Sequence, residues 1–246
     1  MELEGRVALV TGASRGIGAA IAEGLSEAGA DVAVLYGRDE EAANGVVGRI
    51  ERDGQRAVAV GGDLRDPASL QEMCRAVEDS LGQVDVLVSN AGIAPVQSLE
   101  EISDSDWDRV MEVNLRPAFL LARRLAPGMC ERGWGRIVFV SSVAAFTGGI
   151  VGPHYTASKA ALIGLARSLA ASLAPHGVTV NAVAPALIKG GATLPGGEEE
   201  HPELAENVPV GRLGTPEEVA KAVHAIVTNP FITAQTVSVD GGMYPR

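Results

Sequence analysis

The run Thr11–Gly18 (TGASRGIG) follows the stretch Arg6–Thr11 (RVALVT), and this junction decides the fold. The stretch is a short apolar run typical of a buried strand, and Ile17, Ile21 and Leu25 after it recur at helical spacing. Glycines at positions 12, 16 and 18 permit a tight turn and let the backbone approach a pyrophosphate, whose charge the N-terminus of the next helix stabilises. The junction therefore predicts the opening of a dinucleotide-binding βαβ unit.

Short apolar runs and longer helical patterns alternate along the rest of the chain. Strands are predicted at Arg6–Thr11, Asp31–Tyr36, Ala57–Gly61, Val84–Ser89, Arg136–Ser141, Val178–Val183 and Thr236–Val239. Helices are predicted at Gly16–Ala28, Glu40–Asp53, from Pro67 onward, Asp104–Arg132 (one helix or two, with a bend at Pro117), Tyr155–Pro175 and Pro216–Val227. Strands that are apolar on both faces, each followed by a helix, indicate a parallel sheet covered on both sides. Residues 1–246 therefore predict a single α/β domain with a doubly wound Rossmann-type fold and a parallel sheet of about seven strands.

One irregular segment interrupts this alternation. Ala186–Asn207 is rich in Gly, Pro and Glu and is too long for a simple turn. We expect it to form a substrate lid over residues 186–207, the alternative being a surface loop without function.

Composition and charge exclude several classes of function. The formal net charge of −11 argues against a nucleic-acid surface, which needs clustered Lys and Arg. No apolar run approaches the roughly 18 residues of a membrane span, and the first strand follows Met1–Gly5 directly, which leaves no room for a signal peptide. Two cysteines are typical of reduced thiols, and four scattered histidines lack metal-ligand spacing. We expect a cytoplasmic protein without a metal.

The end of the second predicted strand bears on the choice of cofactor. An acidic residue there recognises a free ribose 2′-OH, whereas a 2′-phosphate needs a cation. The chain reads Leu35-Tyr36-Gly37-Arg38, with no carboxylate before Asp39. Arg38, together with Arg15 of the glycine turn, is suited to bidentate pairing with a phosphate. The sequence therefore favours NADP(H) over NAD(H).

Tyr155 and Lys159 open the long helix after the fifth strand, in a chain that has only three tyrosines and three lysines. Residues four apart share one helix face. An ammonium beside a phenol favours phenolate, which lowers the phenol pKa from about 10 toward neutrality, where the group serves as acid and base. The pair predicts proton transfer at Tyr155. His154, next to it, is interpreted either as a pocket residue or as a satisfied surface histidine.

Further motifs carry a resemblance to a known family. Ser89-Asn90-Ala91-Gly92 resembles an Asn-Asn-Ala-Gly motif, and Val113-Asn114-Leu115 contains a matching asparagine. Together with the glycine turn, the Tyr155–Lys159 pair and Asp240-Gly241-Gly242, they make the sequence similar to short-chain dehydrogenases/reductases over nearly its whole length. The stretches TGASRGIG at Thr11–Gly18 and GRLGTPEEVA at Gly211–Ala220 are most similar to those of 3-oxoacyl-[acyl-carrier-protein] reductases.

The resemblance implies a set of site residues. Ser142 would bind the carbonyl oxygen, Tyr155 would donate the proton, Lys159 would hold the ribose hydroxyls, and Asn114 would position a water that links the lysine to solvent. Neighbouring strand residues face opposite sides, and the family spacing before Tyr155 selects Ser142 over Ser141. The implied cofactor-binding residues are Gly12, Ser14, Arg15, Gly16, Ile17, Gly18, Arg38, Asp63, Leu64, Asn90, Ala91, Gly92, Tyr155, Lys159, Pro185 and Ile188.

The sequence also departs from the family. Pro185-Ala186 stands where Pro-Gly is usual, and Lys189-Gly190 replaces a threonine, so a different local backbone is expected because alanine disfavours positive φ. Ala234 likewise stands where glycine is usual. Arg132 and Arg136 are the candidates for docking an acidic carrier protein.

The resemblance implies a function and an assembly. We expect an NADP(H)-dependent oxidoreductase that reduces a ketone, such as a 3-oxoacyl thioester, to a secondary alcohol, and that forms a homotetramer. One alternative is a dehydrogenase/reductase of a small free alcohol, ketone or sugar. A non-enzymatic alternative is a dinucleotide-binding sensor or scaffold that retains the fold without catalysis.

Overall fold

The secondary structure of the computed structural model, which describes residues 2–148, 151–191 and 202–244, follows the predicted alternation. The strands are β1 (Val7–Thr11), β2 (Asp31–Tyr36), β3 (Ala57–Gly61), β4 (Val86–Ser89), β5 (Gly135–Val140), β6 (Val178–Pro185) and β7 (Thr236–Val239). The helices are α1 (Gly16–Glu27), α2 (Glu40–Arg52), α3 (Pro67–Leu81), α4 (Asp104–Asn114), α5 (Arg116–Glu131), α6 (Ala144–Thr147), α7 (Pro153–Leu173), α8 (Pro202–Ala205) and α9 (Pro216–Thr228). A 3₁₀ turn, Ala174–His176, follows α7.

The strands form one seven-stranded sheet in the order β3-β2-β1-β4-β5-β6-β7, and every pairing is parallel. Successive strands run outward from β1 to β3, and the order then reverses between β1 and β4. The predicted doubly wound fold is therefore confirmed. Ligands of such sheets bind outside the carboxyl ends of the strands at the reversal, which here lies between Thr11 and Ser89.

The core lies on both faces of the sheet because the strands are apolar on both. Leu9, Leu87 and Phe139 point to one layer of helices, and Val10, Val88 and Val138 point to the other. All six are at most 1% exposed. Alternating side chains of one strand thus enter two separate cores, which fixes the register of the sheet and the direction in which each strand ends.

The predicted long helix Asp104–Arg132 is two helices, with the break at Leu115. Pro117 has no N–H and its ring clashes with a preceding helical turn, so it is accommodated in the first turn of α5 and not inside one continuous helix. At the other end of α4, Ser103 and Asp106 form a capping box that fixes where that helix begins. The break places Asn114 at the end of α4.

The predicted lid falls partly within the described chain. Its first residues are tied down, since Ala186 donates a backbone hydrogen bond to Val239 at 3.0 Å and Lys189 donates one to Gly214 at 3.0 Å. Helix α8 lies within its last part. Residues 192–201 are outside the described residues, so a lid over 186–207 stays a prediction. In the described ranges, no helix is long and apolar enough to cross a membrane.

Ala234, just before β7, occupies a left-handed backbone conformation with φ of 60°. Its N–H donates to the carbonyl of Val180 at 2.8 Å, so the sheet holds it in this strained geometry. This explains why glycine is usual at this position in the family that the sequence resembles.

We therefore predict that Ala234→Gly raises the free energy of unfolding by about 1 kcal/mol, because glycine adopts positive φ without the Cβ clash. Urea denaturation monitored by circular dichroism measures the change. Ala76→Gly, in the exposed middle of α3, is the matched control and should lower stability by about 1 kcal/mol. A loss of stability in Ala234→Gly would contradict the strain.

Candidate functional site

Hydrogen bonds between the ends of β1 and β4 build one wall of the crevice at the sheet reversal. The Thr11 hydroxyl oxygen accepts from the backbone N–H of Asn90 and of Ala91, each at 3.0 Å. The Asn90 side-chain amide in turn donates to the carbonyls of Thr11 at 3.0 Å and Gly12 at 3.1 Å. The side chain of Asn90 thus braces the glycine turn, and its predicted contact with the cofactor stays a prediction.

The glycine turn fits the backbone approach that a pyrophosphate requires. A Cβ at Gly18 would lie 2.2 Å from the carbonyl oxygen of Gly12, and one at Gly12 would lie 2.9 Å from Cα of Ala91. Gly12 and Gly16 also have positive φ, 63° and 55°. These glycines let β1, β4 and α1 meet without side chains between them, which leaves backbone facing the crevice.

The start of α1 carries the electrostatic features of an anion site. Its N-cap residue, Arg15, is extended, exposed and makes no side-chain capping hydrogen bond, and the first turn contains no acidic residue. The first N–H groups of a helix lack intrahelical partners and carry a partial positive charge. Ser14 and Ile17 are half-buried in the same turn. The residues present therefore fit a dinucleotide pyrophosphate.

The far end of the crevice, at β2 and β3, contains the residues expected to contact the adenosine. Arg38 is exposed there, and the carboxylate of Asp39 caps α2 by accepting from the N–H of Ala42 at 3.0 Å. Asp63 forms an ion pair with Arg65 at 2.6 Å, and the hydrogen bonds from Arg65 lower the pKa of Asp63 to about 2. Leu64 packs against the core. Asp63 is thus an ionised, exposed acceptor beside two arginines.

Strand β5 and helix α7 bring the predicted catalytic residues together. The hydroxyl of Ser142 faces that of Tyr155 closely enough to have a lowering effect on the pKa of Tyr155. Ser142 also accepts from the N–H of Ala144 at 3.1 Å, which starts α6. Ser141 points the other way, and its buried hydroxyl donates to the carbonyl of Lys159 at 2.7 Å. One serine therefore faces the crevice, and its neighbour fastens α7 to the sheet.

Lys159 is almost fully buried, and its ammonium donates to the carbonyl of Val140 at 2.8 Å. Burial lowers the pKa of Lys159 to about 8. Its Nζ lies 5.8 Å from the centroid of the Tyr155 ring, under the ring face. A Cβ on Gly92 would come within 3.4 Å of Nζ, so Gly92 keeps this part of the crevice open.

The expected lowering of the Tyr155 pKa is not found in the chain alone. Burial raises the pKa of Tyr155 above its usual value, and the nearby Ser142 hydroxyl opposes that rise. The physical reason is that Tyr155 is itself 9% exposed, while the lysine charge is directed at the Val140 carbonyl. Desolvation of the buried phenol therefore outweighs the effect of the neighbouring charge, which alone would lower the pKa.

Asn114 sits between α4 and α7 with all of its side-chain polar atoms engaged. Its Oδ1 accepts from the N–H of Ile93 at 2.8 Å, and its Nδ2 donates to the carbonyl of Ile93 at 3.0 Å and to the hydroxyl of Ser158 at 3.1 Å. Ser158 donates to the carbonyl of Tyr155 at 2.7 Å. The amide thus joins the loop after β4 to the catalytic helix, and its implied part in a proton relay stays a prediction.

The segment after β6 does not show the altered backbone at Ala186 that its difference from the family pattern predicts. Ala186 does not have the positive φ that alanine would disfavour, and it pairs with β7 through the hydrogen bond to Val239. Ile188 is buried and belongs to the core, so its backbone and not its side chain is available to a cofactor. A Cβ at Gly16 would lie 3.2 Å from the carbonyl of Gly190, which places this segment against the glycine turn.

Arg132 and Arg136 both lie at the amino end of β5 and only Arg132 is exposed there, so carrier docking through Arg132 stays a prediction. Arg136 precedes Ser142 by six residues, about 20 Å along an extended strand. It is buried, stacks on Trp134 and donates to the carbonyl of Val227 at 2.9 Å. Arg132 pairs with Asp85 at 3.2 Å. The two arginines stabilise the amino ends of the strands, on the side of the sheet opposite the crevice.

His154 and Gln97 are the site residues that sequence reasoning missed or left open. His154 is fully buried, and its ring lies 3.0 Å from the Gln97 side-chain oxygen. Gln97 lies in the loop between β4 and α4, and no motif marks it. The position of His154 beside Tyr155 was the one available signal, and it did not reveal the partner.

Comparison with known proteins agrees with this geometry. Residues 6–200 match the family model described as short chain dehydrogenase. The chain is 40% identical to a 3-oxoacyl-[acyl-carrier-protein] reductase of Vibrio cholerae, over 99% of both chains. It is 38% identical to an L-rhamnose 1-dehydrogenase (NAD(P)(+)) of a Sphingomonas strain, over 98% of this chain and 97% of that one.

Solved structures show the same similarity. A blue fluorescent protein from a metagenomic library, in complex with NADPH, superposes with a TM-score of 0.92 at 35% identity over the full length of both chains. A dehydrogenase/reductase from Sinorhizobium meliloti superposes with a TM-score of 0.89 at 38% identity, over 99% of this chain and 96% of that one. The chain therefore belongs to the short chain dehydrogenase family and is an oxidoreductase that acts on CH–OH groups.

Proposed function

We propose that this oxidoreductase reduces a ketone to a secondary alcohol with NADPH, and that Tyr155 is the proton donor. The observation that carries the proposal is the position of Tyr155 beside Ser142 and above buried Lys159, whose Nζ lies 5.8 Å from the Tyr155 ring centroid, in the same crevice as the glycine turn. A carbonyl oxygen placed between the two hydroxyl groups would accept a hydrogen bond from each. Bound NADPH supplies the hydride, and the chain supplies position and the proton.

The proton moves from the Tyr155 hydroxyl to the substrate oxygen as negative charge develops there. Because burial raises the pKa of Tyr155, the phenol is protonated at neutral pH, which suits an acid. Ser142 donates to the same oxygen and stabilises the developing charge. Lys159 has a pKa of about 8, so it retains most of its charge at pH 7 and stabilises the phenolate that remains.

The arrangement around the adenosine end supports NADP(H) over NAD(H). Arg15 and Arg38 are both exposed near the carboxyl ends of β1 and β2, where a 2′-phosphate would lie. The first carboxylate after β2, Asp39, is occupied in capping α2 and is poorly placed to accept from a ribose hydroxyl. The NADPH-bound structure similar to this chain lends further support.

The favoured substrate is a 3-oxoacyl thioester, because 3-oxoacyl-[acyl-carrier-protein] reductases of several bacteria are similar to this chain over nearly its full length. A free sugar or small carbonyl is the second candidate, favoured by the similar L-rhamnose 1-dehydrogenase. Recognition of a carrier protein would have to use residues other than Arg136, whose side chain is buried.

The expected homotetramer also stays a proposal. One apolar surface supports self-association: α4, α5 and α7 leave a groove lined by Met111, Leu115, Phe119 and Leu165. Phe119 in this groove is 43% exposed, and contiguous apolar surface of this kind often marks a protein–protein contact.

A substrate panel with Tyr155→Phe as the catalytic control tests the proposed function. We expect the wild type to reduce a 3-oxoacyl thioester with NADPH at a higher kcat/KM than it shows for reducing small free ketones with NADPH or for oxidising L-rhamnose with NADP⁺. Tyr155→Phe should lower kcat by about 10²–10⁴-fold, because the acid is lost. Its Kd for NADPH, measured by fluorescence titration, should be unchanged. Turnover by Tyr155→Phe near the wild-type rate would refute Tyr155 as the acid.

Exchanging the charge at position 38 tests the cofactor preference. Arg38→Asp should lower the ratio of kcat/KM for NADPH to that for NADH by at least about tenfold, since one phosphate contact is worth about 1.5–3 kcal/mol. Arg52→Asp, on the exposed last turn of α2, makes the same change of charge away from the crevice and should leave the ratio unchanged. Equal ratios in the wild type and Arg38→Asp would contradict the assignment.

Lys159 gives the stability of the chain a specific dependence on pH. The folded chain releases this proton at a pKa of about 8, whereas an unfolded lysine releases it at about 10.4. Between those values the unfolded chain binds more protons, so the free energy of unfolding rises with pH in that window. Lys159→Met lacks this contribution. The wild type should therefore gain stability relative to Lys159→Met from pH 8 to 10.

Urea denaturation of both proteins at pH 7, 8, 9 and 10 measures this difference. Lys221→Met, on the exposed face of α9, controls for the general loss of a lysine charge. If the free energies of unfolding of the wild type and Lys159→Met differ by the same amount at every pH, the pKa of Lys159 is not lowered by burial.

A further inference from the structure

The geometry points to His154 as a positioning residue that fixes Tyr155 through a chain of three side chains, Asp106, Gln97 and His154. The inference rests on the proposed role of Tyr155 and adds residues that act through it. The imidazole of His154 is fully buried at the second position of α7. It lies between the backbone of Tyr155 and the loop after β4.

The hydrogen bonds determine the protonation state of the ring. Nδ1 of His154 lies 2.9 Å from the backbone nitrogen of Tyr155, which is a donor, so Nδ1 is an acceptor and carries no proton. Nε2 therefore carries the proton and donates to Oε1 of Gln97 at 3.0 Å. The side-chain amide of Gln97 in turn faces the Asp106 carboxylate, whose pKa it helps to lower. Each donor in the chain meets an acceptor.

The His154 ring takes the place of a side-chain N-cap, because it accepts a hydrogen bond from a free N–H in the first turn of α7. The N-cap of α7 is Gly152, which has no side chain, and Pro153 has no N–H. Tyr155 occupies the third helical position, whose N–H is one of the groups left without an intrahelical partner. His154 satisfies that N–H from inside the helix and thereby fixes the backbone from which the Tyr155 side chain projects.

Local packing is built around this arrangement. A Cβ on Gly152 would lie 2.3 Å from Cε1 of His154 and 3.0 Å from the carbonyl oxygen of Gln97, so only glycine leaves room for the ring. Asp106 belongs to the capping box of α4, which anchors the other end of the chain. The loop after β4 and the first turn of α7, both at the crevice, are thus held in one relative position.

Two conservative variants separate the two hydrogen bonds of the ring. In His154→Asn the side-chain oxygen can replace Nδ1 as acceptor for Tyr155 but does not reach Gln97. In His154→Gln the longer amide can donate to Gln97 but does not place an acceptor at Nδ1. If His154 positions Tyr155, His154→Asn should keep kcat within about threefold of the wild type. His154→Gln and His154→Ala should lower kcat about tenfold or more, since a misplacement of about 1 Å can cost about 10²-fold.

Two readouts keep this test independent of folding and of the proposed function. Kd for NADPH should not change in any variant, because the glycine turn is untouched. Hydrogen–deuterium exchange of a peptide covering residues 152–160, followed by mass spectrometry, should be faster in His154→Gln than in His154→Asn, whether or not a ketone is turned over. His224→Ala, which removes a half-buried histidine of α9 paired with Glu2, is the control and should match the wild type.

Equal kcat losses in His154→Asn and His154→Gln, with equal exchange, would show that the ring only fills space, and would overturn the inference. Wild-type kcat in His154→Ala would also overturn it. If His154→Ala does not fold, the comparison of the two amide variants still decides. If the wild-type protein reduces no ketone, the proposed function is refuted. The hydrogen–deuterium exchange of residues 152–160 would still test whether His154 positions Tyr155.

Discussion

The hydrogen bonds between Thr11 and Asn90 are the constraint on which the site depends. They join the carboxyl ends of β1 and β4, the two strands between which the sheet order reverses. In a doubly wound sheet the chain leaves the two strands at the reversal in opposite directions. The crevice between β1 and β4 would widen if these two strand ends were free to separate. The Asn90 amide also holds the Gly12 carbonyl, which ties the glycine turn to the end of β4. Every other functional residue is placed relative to that turn.

A second set of contacts extends this constraint to the chemical end of the crevice. Asn114 binds both polar groups of the Ile93 backbone, three residues after Asn90, and reaches the catalytic helix through Ser158. The loop after β4 is therefore fixed at its start by Thr11 and in its middle by Asn114. Its continuation reaches His154 through Gln97. The cofactor turn and the proton donor are thus connected by one short loop.

The parts of this architecture that sequence could predict are those with a local cause. Strands apolar on both faces require a covered parallel sheet, and the glycine turn lies between a strand and a helix, so fold and crevice follow from neighbouring residues. Tyr155 and Lys159 share a helix turn for the same reason. What sequence did not reveal depends on residues far apart along the chain. Gln97 meets His154 across 57 residues, and nothing in the sequence around Gln97 predicts that contact.

Arg136 and Tyr155 show a second limit, which is the effect of burial on charge. Arg136 looked like a surface cation, and its position at the amino end of a central strand buries it against Trp134. The phenol of Tyr155 was expected to ionise more easily beside a lysine. Because both side chains are buried, desolvation acts on each, and the direction of a pKa shift depends on solvent exposure that no spacing rule contains.

The opposite shifts at Tyr155 and Lys159 have one common effect on the chemistry. Burial disfavours the charged form of each group, so it raises the pKa of the acid and lowers that of the amine toward neutral pH. The pKa of Tyr155 then lies above that of Lys159, the reverse of their order in water, so a proton lost by the phenol is more readily replaced from the ammonium than it would be in water. A site that must donate one proton per turnover gains from this reversal. The cost is the burial of a lysine, which the chain bears as a loss of stability below pH 8.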